Sequence, residues 1–354
     1  MVEKMDKMEK IRKNGEKGKR ERIAVLGAGS WGIAVGTLLY ENGHKVNLWE
    51  FNPEDYQVLL KHRTHPEKLP EADIPEDVLV TNILNEAVTD VEYLVLAVPS
   101  QNVRDVCLQL KTILIGAPYF VNLAKGVEIG SLMRISRVVS ETLPGFDENR
   151  FAVLSGPSHA EEVTKNMPTS VVTASLNPSL AESVQRLFSN KTFRVYRSTD
   201  LVGVELGGSL KNIIAIASGI LHGLGLGDNT SGALITRGLA EITRLGVKLG
   251  AKSETFAGLS GIGDLIATCL SKHSRNRYVG ERIGRGEKLK EILGSMVTVA
   301  EGVYTCQSAQ ELSERYKVEM PITNEVYKVL FKDKSPQEAV TDLMTRSLKE
   351  EVWN

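Results

Sequence analysis

The stretch that decides the fold reads Arg22-Ile23-Ala24-Val25-Leu26-Gly27-Ala28-Gly29-Ser30-Trp31-Gly32. Residues 23–26 are apolar and partly β-branched, which is typical of a buried parallel strand and too short for a helix. The run leads directly into Gly27, Gly29 and Gly32, which fit the pattern G-x-G-x-x-G. In this pattern the glycines permit a tight turn, close approach of the backbone to a pyrophosphate, and packing of a helix on the strand.

The sequence after the glycines completes a dinucleotide-binding pattern. Apolar residues at helical spacing lead to Asn42-Gly43, and a second strand over residues 46–49 stops at Glu50. A carboxylate at this distance beyond the glycines can bind the adenosine ribose 2′-hydroxyl. The sequence therefore predicts a dinucleotide site, the alternative being a glycine-rich turn that binds no nucleotide.

Composition limits the class of protein. The chain has 354 residues, enough for two domains, with 42% hydrophobic and 25% charged residues. Its formal net charge of -1 gives no electrostatic reason to expect a nucleic-acid or anionic-membrane partner. Its three cysteines are isolated, so the sequence predicts buried thiols in a reducing compartment and no metal site. We find no secretion signal and no apolar run approaching a membrane span of ~20 residues, which predicts a cytoplasmic protein.

The order of strand and helix patterns along the sequence predicts an α/β domain followed by an all-α domain. Strands and helices alternate from residue 22 to about residue 197, the pattern of a doubly wound parallel sheet. Long apolar helices then follow over residues 204–221 and 233–249. We expect a charged, disordered tail at 1–21, a Rossmann-type dinucleotide domain at 22–200 and a helical substrate domain at 201–354. The glycine-rich residues 223–227 follow a helix and are interpreted as a loop.

Two positions at strand ends are candidates for the site. Lys125 follows a strand over residues 119–123, and ligands of open α/β sheets lie beyond the carboxyl ends of strands. The alternative is that Lys125 is an ordinary surface lysine that contributes only to solubility. Ser158 lies in a Gly-Pro turn before Glu161 and Glu162, where it either caps a helix or borders a site for a polar ligand.

The helical half carries a candidate proton-transfer group. Lys211 lies within an apolar helix, and burying an ammonium is costly unless it is paired or deprotonated. Burial and a neighbouring cation both lower the pKa of a lysine, which suits proton transfer to an oxygen. The alternative is a snorkelling side chain. Asp264, between glycines and an apolar helix start, is either an N-cap or the partner of Lys211.

Residues 271–277 concentrate cations and hydroxyls in a chain of nearly zero net charge. The guanidinium of Arg275 matches phosphate oxygens in pairs, and Ser274 and Asn276 add further donors. The cluster predicts a phosphorylated small substrate or a cofactor phosphate. A solvated helix start is the alternative.

Several motifs, taken in order, resemble a known family over residues 22 to about 347. They are Gly27-Ala28-Gly29-Ser30-Trp31-Gly32, Ala97-Val98-Pro99-Ser100, Lys125-Gly126, Ser155-Gly156-Pro157-Ser158, Leu210-Lys211-Asn212, Gly263-Asp264-Leu265-Ile266-Ala267-Thr268-Cys269, Ser274-Arg275-Asn276 and Glu301-Gly302. The chain resembles the bacterial-type NAD(P)-dependent glycerol-3-phosphate dehydrogenases. The resemblance implies reversible reduction of dihydroxyacetone phosphate to sn-glycerol 3-phosphate, for glycerophospholipid synthesis. It also implies a C-terminal domain like that of 6-phosphogluconate dehydrogenase, and a homodimer.

The resemblance also assigns residues, in three groups. The lysine matching Lys211 is the proton donor or acceptor at the C2 oxygen, and Lys125 and Asp264 are expected beside it. Substrate-site positions match Lys125, Gly156, Ser158, Asp264, Ser274, Arg275 and Asn276, and those that contact the dinucleotide match Ser30, Trp31, Lys125, Ala160, Arg275, Val299 and Glu301. Together the two interpretations predict that Arg275, Asn276 and Asn212 hold the phosphate while Lys125 and Lys211 polarise the carbonyl.

Two residues depart from the family pattern. Phe51, after Glu50, stands where NADPH-using relatives often have a basic residue or His, and the Glu50 carboxylate would repel a 2′-phosphate. We therefore expect NAD to be preferred, with NADP also usable. His159 stands where many relatives have an apolar residue. It either packs or contacts a ligand.

Two other functions remain open from the sequence alone. A 3-hydroxyacid dehydrogenase or ketopantoate reductase would share the two-domain plan, because an Arg cluster does not by itself distinguish phosphate from carboxylate. A non-enzymatic NAD(H)-responsive regulator would bind nucleotide without turnover.

Overall fold

A computed structural model describes residues 19–351 of the chain, so most of the predicted tail lies outside the described residues. The strands are β1 (Arg22–Leu26), β2 (Lys45–Trp49), β3 (Leu79–Thr81), β4 (Tyr93–Leu96), β5 (Tyr119–Asn122), β6 (Phe151–Ser155), β7 (Thr169–Ser175) and β8 (Phe193–Ser198). The helices between them are α1 (Ser30–Glu41), α2 (Pro53–His62), α3 (Leu84–Val88), α4 (Val103–Ile113), α5 (Ile135–Thr142), α6 (Ala160–Thr164) and α7 (Pro178–Phe188).

The strands form one sheet in the order β3-β2-β1-β4-β5-β6-β7-β8. The first six positions have the strand order of a dinucleotide-binding sheet, with its crevice between β1 and β4, where the order reverses. Alternation along β1 sends Ile23 and Val25 to one face and Ala24 and Leu26 to the other, and helices cover both faces. The Rossmann-type α/β prediction is confirmed.

The expectation of a fully parallel sheet is wrong at one junction. β7 pairs with β6 in the antiparallel sense, and β8 then runs parallel to β7. A parallel return needs a crossover that runs back along the sheet, usually a full helix. The β6–β7 connection contains only α6, from Ala160 to Thr164, so the chain reverses direction.

Helices alone follow the sheet among the described residues. They are α8 (Leu201–Gly223), α9 (Asp228–Lys248), α10 (Ser253–Phe256), α11 (Asp264–Leu270), α12 (Arg275–Gly284), α13 (Leu289–Gly294), α14 (Glu301–Tyr316), α15 (Pro321–Phe331) and α16 (Pro336–Met344). The predicted helical half is confirmed, and residues 224–227 form a loop between α8 and α9 as expected.

The central helix of this half is α8. Asp200 caps its start by accepting a hydrogen bond from Gly203 N at 2.9 Å. By length and composition alone α8 could cross a membrane, but its apolar window is entirely buried inside the protein. It packs against α9, α11, α12 and α14 and also contacts β6 and β7, so it joins the helical half to the sheet.

Glycines bring α8 and α12 into backbone contact. A Cβ on Gly280 would lie 1.9 Å from the Ile216 carbonyl oxygen, and a Cβ on Gly219 would lie 2.0 Å from the Arg277 carbonyl oxygen. Any larger residue would separate the two helices. This close crossing places the start of α12, which carries Arg275 and Asn276, beside the middle of α8.

Candidate active site

The glycine turn forms an open cradle at the carboxyl end of β1. Gly27 has a φ of 110°, and a Cβ on Gly32 would lie 1.8 Å from the Gly27 carbonyl oxygen. A Cβ on Gly29 would meet nothing within 4 Å, so space lies open beyond it. No side chain caps the start of α1, which leaves the first amides free to bind an anion. These residues fit the pyrophosphate of a dinucleotide.

The residues expected near the adenosine end lie at the same edge of the sheet. Ser30 begins α1, Trp31 packs with its ring centroid 6.4 Å from that of Phe193, and Glu50 follows β2 directly. Glu50 is buried at 2% exposure and accepts a hydrogen bond from Asn52 N at 3.0 Å. Phe51 is 60% exposed, so its ring is available to a ligand.

Two lysines from different elements meet at one carboxylate. Lys211, buried on α8, has its Nζ 2.9 Å from Oδ1 of Asp264. Lys125, which follows β5, donates from its Nζ to Asp264 Oδ2 at 2.7 Å and to the Gly156 carbonyl oxygen at 3.0 Å. The structure therefore brings together the three residues that the sequence proposed for catalysis. The snorkelling alternative for Lys211 is wrong, because its ammonium is buried and paired.

Burial and charge adjust the pKa values in this cluster. Burial lowers the pKa of Lys211 to about 8, helped by the Lys125 charge and opposed by Asp264. Burial raises the pKa of Asp264, but Lys125 and Lys211 outweigh it and hold that pKa below its ordinary value. A lysine with a pKa of about 8 can both release and accept a proton near neutral pH.

Asp264 is the first residue of α11, and Gly263 holds the cap position. Its carboxylate therefore serves the lysines, and the N-cap alternative is wrong. Sequence reasoning missed Thr268, one turn later on the same helix face. Its hydroxyl contacts Lys211 Nζ and lies 3.1 Å from Asp264 Oδ1. The i,i+4 spacing from Asp264 was the available signal.

The start of α12 presents donors to the cleft. Ser274 caps the helix by accepting from Arg277 N at 3.2 Å, and its hydroxyl hydrogen is left for another acceptor. Arg275 is exposed, and its guanidinium makes no hydrogen bond or ion pair with residues 19–351. Desolvation by the surrounding chain lowers the pKa of its guanidinium, while Glu301 and Glu161 act in the opposite sense. An unpaired guanidinium beside helix amides fits a phosphate.

Two buried amides connect this helix to the lysines. Asn276 donates to Asn212 Oδ1 at 2.9 Å and accepts from Gly302 N at 2.8 Å. Asn212 in turn donates to the Lys125 carbonyl oxygen at 3.3 Å. Each amide group has one further N–H, so both can position the site and still donate to a ligand.

The turn after β6 differs from expectation at Ser158. Its hydroxyl donates to the Gly156 carbonyl oxygen at 3.0 Å, and His159 holds the cap position of α6. The helix-capping alternative for Ser158 is therefore wrong, because its hydroxyl bonds back to Gly156 and the cap position belongs to His159. His159 Nε2 lies 3.5 Å from the Ala267 carbonyl oxygen, and Ala160 begins α6. Burial lowers the pKa of His159, and Lys211 lowers it further.

Glu301 closes the cleft from the helical side. It begins α14 and accepts a hydrogen bond from Ser100 N at 2.8 Å and another from the Ser100 hydroxyl. Burial raises the pKa of Glu301, and the two bonds from Ser100 oppose that rise. Val299 is 37% exposed, two residues before Glu301. Residues 19–351 contain no group of three or more His, Cys, Asp or Glu that could hold a metal ion.

Comparison with known proteins gives one consistent result. Residues 22–181 match the family described as NAD-dependent glycerol-3-phosphate dehydrogenase N-terminus, and residues 200–341 match the corresponding C-terminus. A protein of Prosthecochloris aestuarii named glycerol-3-phosphate dehydrogenase (NAD(P)+) is 51% identical over 330 residues, covering 93% of this chain and 99% of its own. One of the same name from Geobacter sulfurreducens is 51% identical over 333 residues, covering 94% of this chain and 99% of its own. The crystal structure of a Coxiella burnetii glycerol-3-phosphate dehydrogenase has a TM-score of 0.89 at 37% identity, and the match covers 92% of this chain and 99% of that one.

Proposed function

Since the chain belongs to the NAD-dependent glycerol-3-phosphate dehydrogenase family, we propose that Lys211 is the proton donor and acceptor of its reaction. That reaction is the reversible reduction of dihydroxyacetone phosphate to sn-glycerol 3-phosphate with NAD(P)H, which supplies glycerol 3-phosphate for glycerophospholipid synthesis. The observation that carries the proposal is the buried ion pair of Lys211 with Asp264 at 2.9 Å, with Lys125 on the other carboxylate oxygen.

The two lysines share the chemistry at the carbonyl. A bound NAD(P)H would supply hydride to C2, and negative charge would then develop on the C2 oxygen. The Lys125 and Lys211 ammoniums stabilise that charge, and Lys211 transfers its proton to the oxygen. Asp264 and Thr268 hold Lys211 in position throughout. In the oxidation direction the neutral amine of Lys211 accepts the hydroxyl proton.

The phosphate of the substrate binds at the start of α12. Arg275 supplies the unpaired guanidinium, and Ser274, Asn276 and Asn212 supply neutral donors. Gly156 and Ser158 border the same space from the sheet side. Support comes from the Asn212–Asn276 bond, which fixes the phosphate end of the site relative to Lys125.

A dinucleotide would lie along the carboxyl edge of the sheet. The residues that would hold it are Gly27, Gly29, Ser30, Trp31, Gly32, Glu50, Phe51, Lys125, Ala160, Arg275, Val299 and Glu301. The uncapped start of α1 binds the pyrophosphate, and Glu50 accepts from the adenosine ribose. Because a carboxylate repels a 2′-phosphate, NAD is the preferred cofactor.

The larger organisation is part of the proposal. Residues 22–200 form the dinucleotide domain and residues 201–354 the substrate domain, which agrees with the end of β8 at Ser198 and the start of α8 at Leu201. The protein is a cytoplasmic homodimer. Light scattering after size-exclusion chromatography tests the dimer, and a mass near 38.9 kDa would contradict it.

Steady-state oxidation of NADH with dihydroxyacetone phosphate tests the proposal for Lys211. We expect Lys211→Ala to reduce kcat by about 10²- to 10⁴-fold, the usual contribution of general acid–base catalysis. NADH binding, followed by nucleotide fluorescence, should change little. Lys191→Ala, at an exposed lysine before β8, is the matched control.

Three outcomes would contradict the proposed function. A Lys211→Ala enzyme with more than a tenth of wild-type turnover would remove the proton-transfer role. Faster oxidation of 3-hydroxy acids than of glycerol 3-phosphate would place the substrate in a different class. Nucleotide binding without any turnover by the wild type would favour a regulator.

A further inference from the structure

A segment after α2 folds back onto the glycine turn. We call residues 63–75 the strap. The Ser30 hydroxyl donates to the Lys68 carbonyl oxygen at 2.7 Å, which fastens the middle of the strap to the start of α1. Arg63 ties the strap's base, because its guanidinium donates to the carbonyl oxygens of Pro75 and Val78. The strap therefore borders the space where the adenosine ribose would lie.

The strap brings an ammonium to the ribose carboxylate. Lys68 Nζ lies 2.6 Å from Asp55 Oδ2 and 3.7 Å from Glu50 Oε2, and its side chain is only 11% exposed. His65 Nδ1 accepts from Lys68 N at 3.2 Å, so its Nε2 carries the hydrogen that is donated to Asp55 Oδ1 at 2.9 Å. One ammonium thus faces two carboxylates, so the cluster has a small net negative charge.

We propose that Lys68 determines how strongly this site discriminates between a 2′-hydroxyl and a 2′-phosphate. The inference rests on the proposed function, which places the adenosine ribose at Glu50. Lys68 partly neutralises Glu50 and is the cation that a 2′-phosphate would pair with, so NADPH is accepted with a moderate penalty. Without Lys68, Glu50 and Asp55 would oppose the phosphate uncompensated.

Other groups near Glu50 do not neutralise its charge. Arg63 is occupied by carbonyl oxygens, and Asn52 caps α2 by accepting from Glu54 N at 2.8 Å and Asp55 N at 3.1 Å. Phe51 carries no charge. Within the described residues, the salt bridge that includes Glu50 is the one with Lys68.

The test uses two nucleotides that differ only in the 2′-phosphate: 5′-AMP and adenosine 2′,5′-bisphosphate. Isothermal calorimetry gives the Kd of each, and the quantity of interest is the ratio of the bisphosphate Kd to the AMP Kd. We expect Lys68→Met to raise this ratio by about tenfold or more, the effect of losing one charge-assisted contact. Lys68→Arg should keep it within about threefold of the wild type, and Lys61→Met, at an exposed lysine of α2, should leave it unchanged.

If Lys68 had only a structural role, its loss would weaken the binding of both nucleotides equally. An unchanged Kd ratio in Lys68→Met therefore overturns the proposal. If Lys68→Met does not fold, Asp55→Asn decides: freeing the ammonium from one carboxylate should lower the ratio at least about threefold, and an unchanged ratio again overturns it. The probes contain neither nicotinamide nor substrate. If neither binds the wild type, the nucleotide site itself fails; if both bind and the ratio does not move, only the role of Lys68 fails.

Discussion

Lys125 and Lys211 bind opposite oxygens of the same buried carboxylate, at 2.7 and 2.9 Å. One lysine comes from the carboxyl end of the sheet and the other from the middle of α8. The carboxylate keeps both ammoniums in the cleft, and each ammonium lowers the pKa of Asp264. Lys211 and Asp264 both belong to the helical half, and docking of the sheet half adds the second ammonium, that of Lys125, to this pair.

The pH dependence of the two reaction directions should be opposite. Reduction needs protonated Lys211, so its rate should fall as pH rises through about 8, whereas oxidation needs the neutral amine and should rise through the same pH. Because Asp264 raises the Lys211 pKa, Asp264→Asn should move both inflections to lower pH. Profiles of kcat from about pH 6 to 10 provide the measurement. Inflections that Asp264→Asn does not move would contradict this assignment.

Two glycines of the turn should respond differently to alanine. At Gly32 a Cβ would lie 1.8 Å from the Gly27 carbonyl oxygen, so we expect Gly32→Ala to lose at least about 3 kcal/mol of stability. At Gly29 a Cβ meets nothing within 4 Å, so Gly29→Ala should stay within about 1 kcal/mol of the wild type. Its Cβ would occupy the pyrophosphate space and raise the NADH Kd about tenfold or more. Urea unfolding measures the stability effect and NADH fluorescence measures the binding effect. Unchanged NADH binding by Gly29→Ala would contradict the assignment of the glycine turn to the pyrophosphate.

Local chemistry explains which features could be predicted from the sequence. The glycine turn depends on neighbouring residues, and an ammonium in an apolar helix requires a partner, so the sequence could offer Asp264 as the partner of Lys211. The reversal at β7 could not be predicted, because strand direction depends on how a short connection packs. The bond from Ser158 to Gly156 has the same origin, since a Gly-Pro turn allows several hydrogen-bond patterns.

The contacts that sequence reasoning missed are mostly long-range. Lys68 reaches Glu50 only because the strap folds back over α1, and a polar, proline-bearing segment gives no sign of that path. Ser100 and Glu301 are 201 positions apart, so their hydrogen bond depends on the docking of the two halves. Thr268 is the exception, because its spacing from Asp264 was visible.

A buried carboxyl outside the group of candidate site residues should make stability depend on pH. Glu241 on α9 accepts from Ile322 N at 2.6 Å and Thr323 N at 3.1 Å, and burial raises its pKa from 4.5 to about 7. A raised carboxyl pKa favours the folded state fully below about pH 4.5, and this contribution is lost as pH rises through about 7. The stability of the wild type minus that of Glu241→Gln should therefore fall by about 3 kcal/mol between these limits. Urea unfolding at several pH values measures this difference, and a constant difference would contradict the raised pKa.

Arg275 should account for the preference for a phosphorylated substrate. Its guanidinium makes no hydrogen bond or ion pair within the described chain, and loss of a charge-assisted contact to phosphate should raise the KM for dihydroxyacetone phosphate by about 10- to 100-fold in Arg275→Ala. With dihydroxyacetone, which has no phosphate, kcat/KM should change less than about threefold. Arg285→Ala, at the end of α12 where Arg285 pairs with Glu281, is the matched control. Both substrates are measured at saturating NADH, which removes any loss of dinucleotide affinity, and equal losses with both would contradict a contact between Arg275 and the substrate phosphate.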